Sequence, residues 1–280
     1  MKSILIVLGM LICARCAFAQ NDSNSLSKSK LEVELFGKKS ISFSISPYLV
    51  DKAKATPMSG SYRLRTLYMN GFEAGPNYYI NFNKNYSLII GLHGGAAARN
   101  FKLFISKNDF NPNLKFDVDE FGVPNREYDF YICAPLLLEK RWFKKNNSYW
   151  DIVAGVNVRF YPIRYIGDEL SFIYPDVNGN NVDVLEINDS IGNNLHPWLN
   201  YNIGGGYAIL LRNNNYLQCN LLANFSHKKM VNGTYTINVT GKPESTGKYF
   251  ADLSYIGLSF SYIFTGANKR LRKLYESQIK

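Results

Sequence analysis

Residues 149–160 read Tyr149-Trp150-Asp151-Ile152-Val153-Ala154-Gly155-Val156-Asn157-Val158-Arg159-Phe160. Successive side chains of an extended chain point to opposite sides, so Trp150, Ile152, Ala154, Val156, Val158 and Phe160 share one face. Asp151, Gly155, Asn157 and Arg159 take the other. A strand with Asp and Arg on one face and Trp on the other must satisfy a polar and an apolar surrounding at once.

The same period of two recurs outward from this segment. Ile41, Phe43 and Ile45 alternate with Ser40, Ser42, Ser44 and Ser46, and Phe72 to Phe82 set an apolar row against Glu73, Asn77 and Asn81. Tyr86, Leu88, Ile90 and Leu92 oppose Ser87 and His93, while Phe130 to Leu138 oppose Asp129, Tyr131, Cys133 and Glu139. Three later stretches, Leu199–Leu211, Leu217–Phe225 and Ile256–Phe264, follow the rule, which makes about eight strands.

The connections decide between architectures. Asn83 to Asn85, Lys144 to Asn147 and Arg212 to Asn215 are short and Asn-rich, suited to tight hairpins because Asn tolerates positive φ. Between them lie long segments, Asp51–Leu67, Asn100–Glu127, Arg164–His196 and His227–Lys248. Strict alternation of short and long connections puts all the long ones at one end, the plan of a membrane barrel with brief periplasmic turns and long outer loops. In lipid the apolar face must turn outward and the sheet must close, since unpaired edge groups in hydrocarbon cost several kcal/mol each. Aromatics near both ends of the apolar rows, among them Tyr78, Phe82, Trp142, Trp150, Tyr262 and Phe264, fit two interfacial girdles. The expected fold is all-β: an eight-stranded antiparallel up-and-down transmembrane β-barrel over 40–265.

The chain starts with Lys2, an apolar run of ten from Ile4 to Cys13, and Ala17-Phe18-Ala19. That is the pattern of a secretory signal peptide over 1–19, with a mature start at Gln20. The run is too short to span a bilayer, and Arg15 before Cys16 is wrong for a lipoprotein signal. Residues 20–39 then form a periplasmic segment ahead of the barrel. Of the four cysteines, Cys133 and Cys219 remain after cleavage, and their opposite strand parity argues against a disulfide. The 46% hydrophobic and 15% aromatic content excludes a disordered chain. A mean hydropathy of −0.19 excludes a bundle of membrane helices. The net charge of +10 is scattered, with its acids clustered, so no basic stripe for nucleic acid exists.

Gly71-Phe72-Glu73-Ala74-Gly75, Asn83-Lys84-Asn85-Tyr86-Ser87-Leu88, Asn202-Ile203-Gly204-Gly205-Gly206-Tyr207 and Gly257-Leu258-Ser259-Phe260-Ser261-Tyr262 carry a resemblance. They resemble the outer-membrane β-barrel domain proteins of Gram-negative bacteria with an eight-stranded OmpA/OmpX-like plan, over roughly Ser40 to Phe264. The resemblance implies location in the outer membrane, with membrane lipids and lipopolysaccharide as neighbours. One departure is the continuation from Thr265 to Lys280, where many such chains end on the aromatic of the last strand.

Eight strands enclose an interior just wide enough for side chains. The inward polar residues are expected to be Glu73, Asp129, Glu139, Asp151 and Arg159, with Arg141 near the periplasmic rim, forming a plug of ion pairs and water. Catalysis has little support. His93, His196 and His227 lie on separate strands or loop edges, and Ser87 and His93 share a face but stand about 20 Å apart along it. A Ser-His-Glu set drawn from several strands would leave no linear signature. No cofactor or metal motif is present.

Recognition would reside in the loops. Arg164 to His196 holds six acids, Asp168, Glu169, Asp176, Asp183, Glu186 and Asp189, against one Arg. This segment is a candidate for a divalent cation or a basic partner, although Gly179 falls at position four of Asp176-Val177-Asn178-Gly179-Asn180, not at the sixth as in a calcium loop. An Asn232-Gly233 turn beside Thr234-Tyr235-Thr236-Ile237 suggests a last hairpin that runs past the membrane. Residues 266–280 form a basic periplasmic tail. The chain therefore reads as a monomeric outer-membrane barrel with a binding, adhesion or envelope-scaffold role toward an extracellular ligand or protein. A narrow channel is the alternative, and a lipid-modifying enzyme ranks below it.

Overall fold

A computed structural model of the chain describes residues 37–51, 53–98, 101–121, 128–145, 147–160, 168–191, 197–226, 229–252 and 254–266. The expected signal peptide over 1–19, most of the segment 20–39, the tail from 267 and two histidines, His196 and His227, lie outside the described residues.

The strands in chain order are β1 (Lys39–Val50), β2 (Lys54–Pro57), β3 (Arg65–Thr66), β4 (Met69–Asn81), β5 (Tyr86–Gly91) and β6 (His93–Ala98). There follow β7 (Phe101–Ile105), a 3₁₀ turn at Lys107–Asp109, β8 (Val118–Phe121), β9 (Tyr128–Phe143), β10 (Tyr149–Phe160), β11 (Asp168–Pro175) and β12 (Asn181–Ile191). The last five are β13 (Trp198–Leu210), β14 (Tyr216–Ser226), β15 (Val231–Ile237), β16 (Ser245–Ala251) and β17 (Tyr255–Phe264).

Among the described residues eight antiparallel strands close into a barrel, with β17 and β4 on the two sides of β1. The pair β5 and β6 counts as one strand. Asn77↔Gly91 and Ala74↔Gly94 keep a single register against β4, and Ile90↔Leu136 and His93↔Cys133 a single register against β9. The gap at Leu92 falls where Pro76 and Pro135 flank it, and proline has no N–H to give to a ladder.

Exposure settles which row meets which medium. Ile41, Phe43 and Ile45 are 54%, 48% and 51% exposed on the outside, whereas Ser42 and Ser44 between them are 1% and 3% exposed. Leu138, Ile152, Ile203, Leu221 and Ile256 continue the exposed apolar surface around the barrel. Water would not tolerate such a belt, and hydrocarbon requires it. The exterior is that of an outer-membrane β-barrel, which crosses with strands; among the described residues no helix is long and apolar enough to span.

The short turns use Asn as expected. Asn147 and Asn214 adopt φ of 60° and 59°, and Asn83 Oδ1 accepts from the Asn85 and Tyr86 amides at 2.8 and 2.9 Å.

The long connections depart from the loop reading. They fold into two further sheets, β11-β12-β15-β16-β2 and β3-β7-β8. Phe101, Leu103, Ile105, Val118, Leu185 and Tyr235 are among the buried residues between them, in a core that continues into the barrel mouth through Tyr48, Tyr131, Trp198 and Tyr255. Phe101 meets Phe172 edge to face at 5.6 Å, joining one sheet to the other. Burial of this apolar surface gives the connections a reason to be ordered, at about 25 cal/mol per Å² removed from water. They form a folded cap.

Candidate functional site: a plugged lumen under a folded cap

The lumen holds two polar clusters. At the short-turn end Arg141, 1% exposed, donates from Nε to Glu139 Oε2 at 2.8 Å, from Nη1 to Asn81 Oδ1 at 3.0 Å and from Nη2 to Ser87 Oγ at 3.0 Å. Its Nη2 also lies 2.5 Å from Glu139 Oε2. Ser87 and Gln218 donate to the same carboxylate at 2.6 and 3.0 Å. The ring centres of Tyr79 and Tyr149 lie 5.7 and 5.5 Å from the guanidinium. A buried ion pair persists when its remaining donors and acceptors are hydrogen-bonded in this way.

Under the cap the hub is His93. Its Nδ1 lies 2.8 Å from Glu73 Oε1 and its Nε2 lies 2.8 Å from Asn77 Oδ1 and 3.4 Å from Ser44 Oγ. Tyr131 donates to Glu73 Oε2 at 3.1 Å, and Tyr48 and Tyr131 hydroxyls meet at 2.6 Å. Arg159 Nη2 sits 4.0 Å from Glu73, its guanidinium 4.2 Å from the Tyr131 ring centre and 5.6 Å from that of Tyr255.

Between the clusters run amides. Asn200 donates to Asn224 at 3.1 Å, Asn224 donates to Asn202, and Asn220 Nδ2 donates to Asp151 Oδ2 at 2.8 Å. That last bond spans β13, because Gly206 is the residue in register between Asp151 and Asn220. A Cβ there would lie 2.2 Å from Asn220 Oδ1. Gly95 plays the same part between Glu73 and Tyr131, where a Cβ would come within 2.2 Å of the tyrosine ring. A glycine on the inner row leaves the gap through which a neighbour reaches the next strand but one.

Glu73, Glu139, Asp151 and Arg159 are therefore all buried inside the barrel, together with Arg141. The side chain of Asp129 lies outside the described residues. Sequence reading set His93 against Ser87 on its own strand; the structure supplies Ser44, Glu73 and Asn77 from β1 and β4 instead. The order Ser44, His93, Glu73 has the connectivity of a hydrolytic triad. However, Asn77 holds the ring nitrogen facing Ser44 more closely, and Ser44 is 3% exposed. One oxygen or nitrogen each from Glu73 and His93, and Cys133 Sγ, lie within 4.8 Å of one another and are the residues that would hold a metal ion. The Arg159 guanidinium beside Glu73 places positive charge against that use.

The acidic segment is a hairpin. Asp168 pairs with Asp189 in register, and Asp183 and Glu186 fall on β12; the side chains of Asp168, Glu169 and Asp189 lie outside the described residues. Burial and the adjacent Glu186 raise the Asp183 carboxyl above its ordinary value, despite a hydrogen bond with Ser171. Asp176 closes the turn. Its Oδ1 accepts from the Asn178 and Asn180 amides at 2.8 Å each, and its Oδ2 from Asn180 Nδ2 at 3.0 Å. Burial pushes this carboxyl up, but the Asn180 side chain and the Asn180, Asn178 and Gly179 amides outweigh it and hold the group below the ordinary range. Both oxygens are thus engaged by their own turn, and Gly179 at φ 88° completes it.

No family model and no curated protein matches the sequence. Solved structures that align with the chain include the outer membrane protein OprG from Pseudomonas aeruginosa, at 10% identity and a TM-score of 0.39, covering 83% of this chain and 99% of that one. The outer membrane protein AlkL in lipid bilayers aligns at 12% identity and a TM-score of 0.35 over 88% of this chain and 96% of its own. The β domain of the Bordetella autotransporter BrkA aligns at 14% and 0.29, over 80% and 97%.

Proposed function

We propose that the barrel is an anchor in the outer membrane of a Gram-negative bacterium and that its working surface is the cap, which binds an extracellular ligand or protein. The short turns then face the periplasm and the cap faces outward. A cleaved signal over 1–19 would deliver the chain. The observation that carries this reading is the contrast between the two ends of the interior: ionic and aromatic layers fill the lumen, while the connections above it have built a core of their own. Loops that merely fringe a pore have no need of one. The role in this reading is non-enzymatic: Ser44 is buried in the lumen, and Asn77 holds the His93 nitrogen that faces it.

Planar-bilayer recording of the purified full chain tests it. Absence of discrete current steps is expected, and reproducible open-channel steps from the wild type would favour the narrow-channel reading and overturn this one. Binding of intact cells or envelope extracts to the folded chain should be lost when the cap is digested away and the barrel is left intact.

A further inference from the structure

Among the described residues the outer side of the short-turn end carries positive charge. Lys39, Lys84, Lys140, Lys144, Lys145 and Arg212 are exposed on its outer side or turns. Among the described residues the acids at that level, Glu139 and Asp151, point into the lumen and are 1% and 2% exposed. The cations are concentrated over one row of aromatics. Lys140 Nζ lies 5.5 Å from the ring centre of Tyr86 and 5.1 Å from that of Trp142, and Lys144 Nζ lies 5.1 Å from each of Trp150 and Tyr207. Register places Tyr86 beside Lys140, Trp142 beside Trp150, and Trp150 beside Tyr207 on four consecutive strands. Trp150 and Tyr207 pack at 4.7 Å, and the Tyr207 hydroxyl is held by Ser148 at 2.5 Å.

We propose that this row is a binding site for the phosphodiester headgroup of an anionic phospholipid in the periplasmic leaflet. The rings sit at headgroup depth with their apolar bodies against acyl chains, and the ammonium groups held on their faces meet the phosphate. An aliphatic stem along a ring orders each lysine before lipid arrives, so less freedom is lost on binding. Each cation near an anionic surface contributes enough for the Lys140–Lys144 pair to enrich such a lipid about thirtyfold over a zwitterionic one. The choice of leaflet rests on the orientation proposed above.

The test uses the full chain in nanodiscs of phosphatidylethanolamine mixed with phosphatidylglycerol or cardiolipin, released for native mass spectrometry. The wild type should retain anionic lipid about thirtyfold over its share, the K140Q/K144Q variant less than twofold, and K140R/K144R close to the wild type. A K54Q/K248Q control in the cap should leave retention unchanged. Equal retention of zwitterionic and anionic lipid by the wild type overturns the site, and this readout needs no variant to fold. In a parallel set of discs that also hold lipid A, preferential retention of lipid A over phosphatidylglycerol through the same two lysines would overturn the leaflet assignment and, with it, the orientation.

Discussion

Removing Arg141 isolates what the buried ion pair contributes. The Arg141→Met variant takes away two contacts to Glu139 and one each to Asn81 and Ser87. It leaves Glu139, 1% exposed, with only the neutral donors Ser87 and Gln218. An uncompensated charge in such a place costs about 3–5 kcal/mol. Glu139→Gln takes the hydrogen-bonded carboxylate from the guanidinium and leaves it the more distant Asp151, in register on β10. The double variant removes both members of the pair, fills a similar volume and leaves Asp151 as the buried carboxyl at that level, so it should cost at least ~2 kcal/mol less than the sum of the single losses. The measurement is urea unfolding of the barrel in phospholipid vesicles, followed by emission from the outward Trp142 and Trp150 and by heat-modifiable gel mobility. Additive losses around the cycle, or an Arg141→Met variant within about 1 kcal/mol of wild type, would falsify the view of the plug as one coupled unit.

Ile90→Lys on the outer face, where Ile90 is 42% exposed, should cost ~2–4 kcal/mol in vesicles if it meets lipid at mid-depth, and an unchanged unfolding midpoint would contradict that placement. Leu185→Ala in the cap core should cost about 2–5 kcal/mol locally; limited proteolysis should open the cap while the barrel keeps its folded mobility, and simultaneous loss of both would show that they are not separable. The lowered Asp176 carboxyl stabilises the β11–β12 turn above its unfolded pKa, and that contribution is lost as pH falls through the lower, folded value. Hydrogen exchange at Asn178 and Asn180 should therefore accelerate, beyond the intrinsic rate, only on acidification below the ordinary carboxylate range, and Asp176→Asn should abolish the step.

The barrel was legible because its period of two is long and uninterrupted in segments such as Tyr149–Phe160, and because Asn-rich turns punctuate it. What alternation cannot reveal is register. His93 belongs to the inward row on sequence grounds, but its partners Ser44, Glu73 and Asn77 come from strands whose alignment only closure defines. The cap was harder to read. Phe101, Leu103 and Ile105 alternate over five residues only, and in β12 the adjacent Val184 and Leu185 are both buried where the register shifts against Phe172 and Ile173, which erases the period. The inner-row glycines Gly95 and Gly206 read as gaps until the long side chains that cross them are seen.

Tyr48 and Tyr255 stack at 4.2 Å across the contact between β1 and β17, and both belong to the core shared with the cap. The two ends of the cylinder are thus riveted by the same residues that finish its lid. Synthesis delivers one half of that rivet with the first barrel strand and the other with the last, so the lid cannot lock before the wall has joined. A chain interrupted ahead of Tyr255 should leave its outer hairpins open to protease, however many upstream strands have already paired.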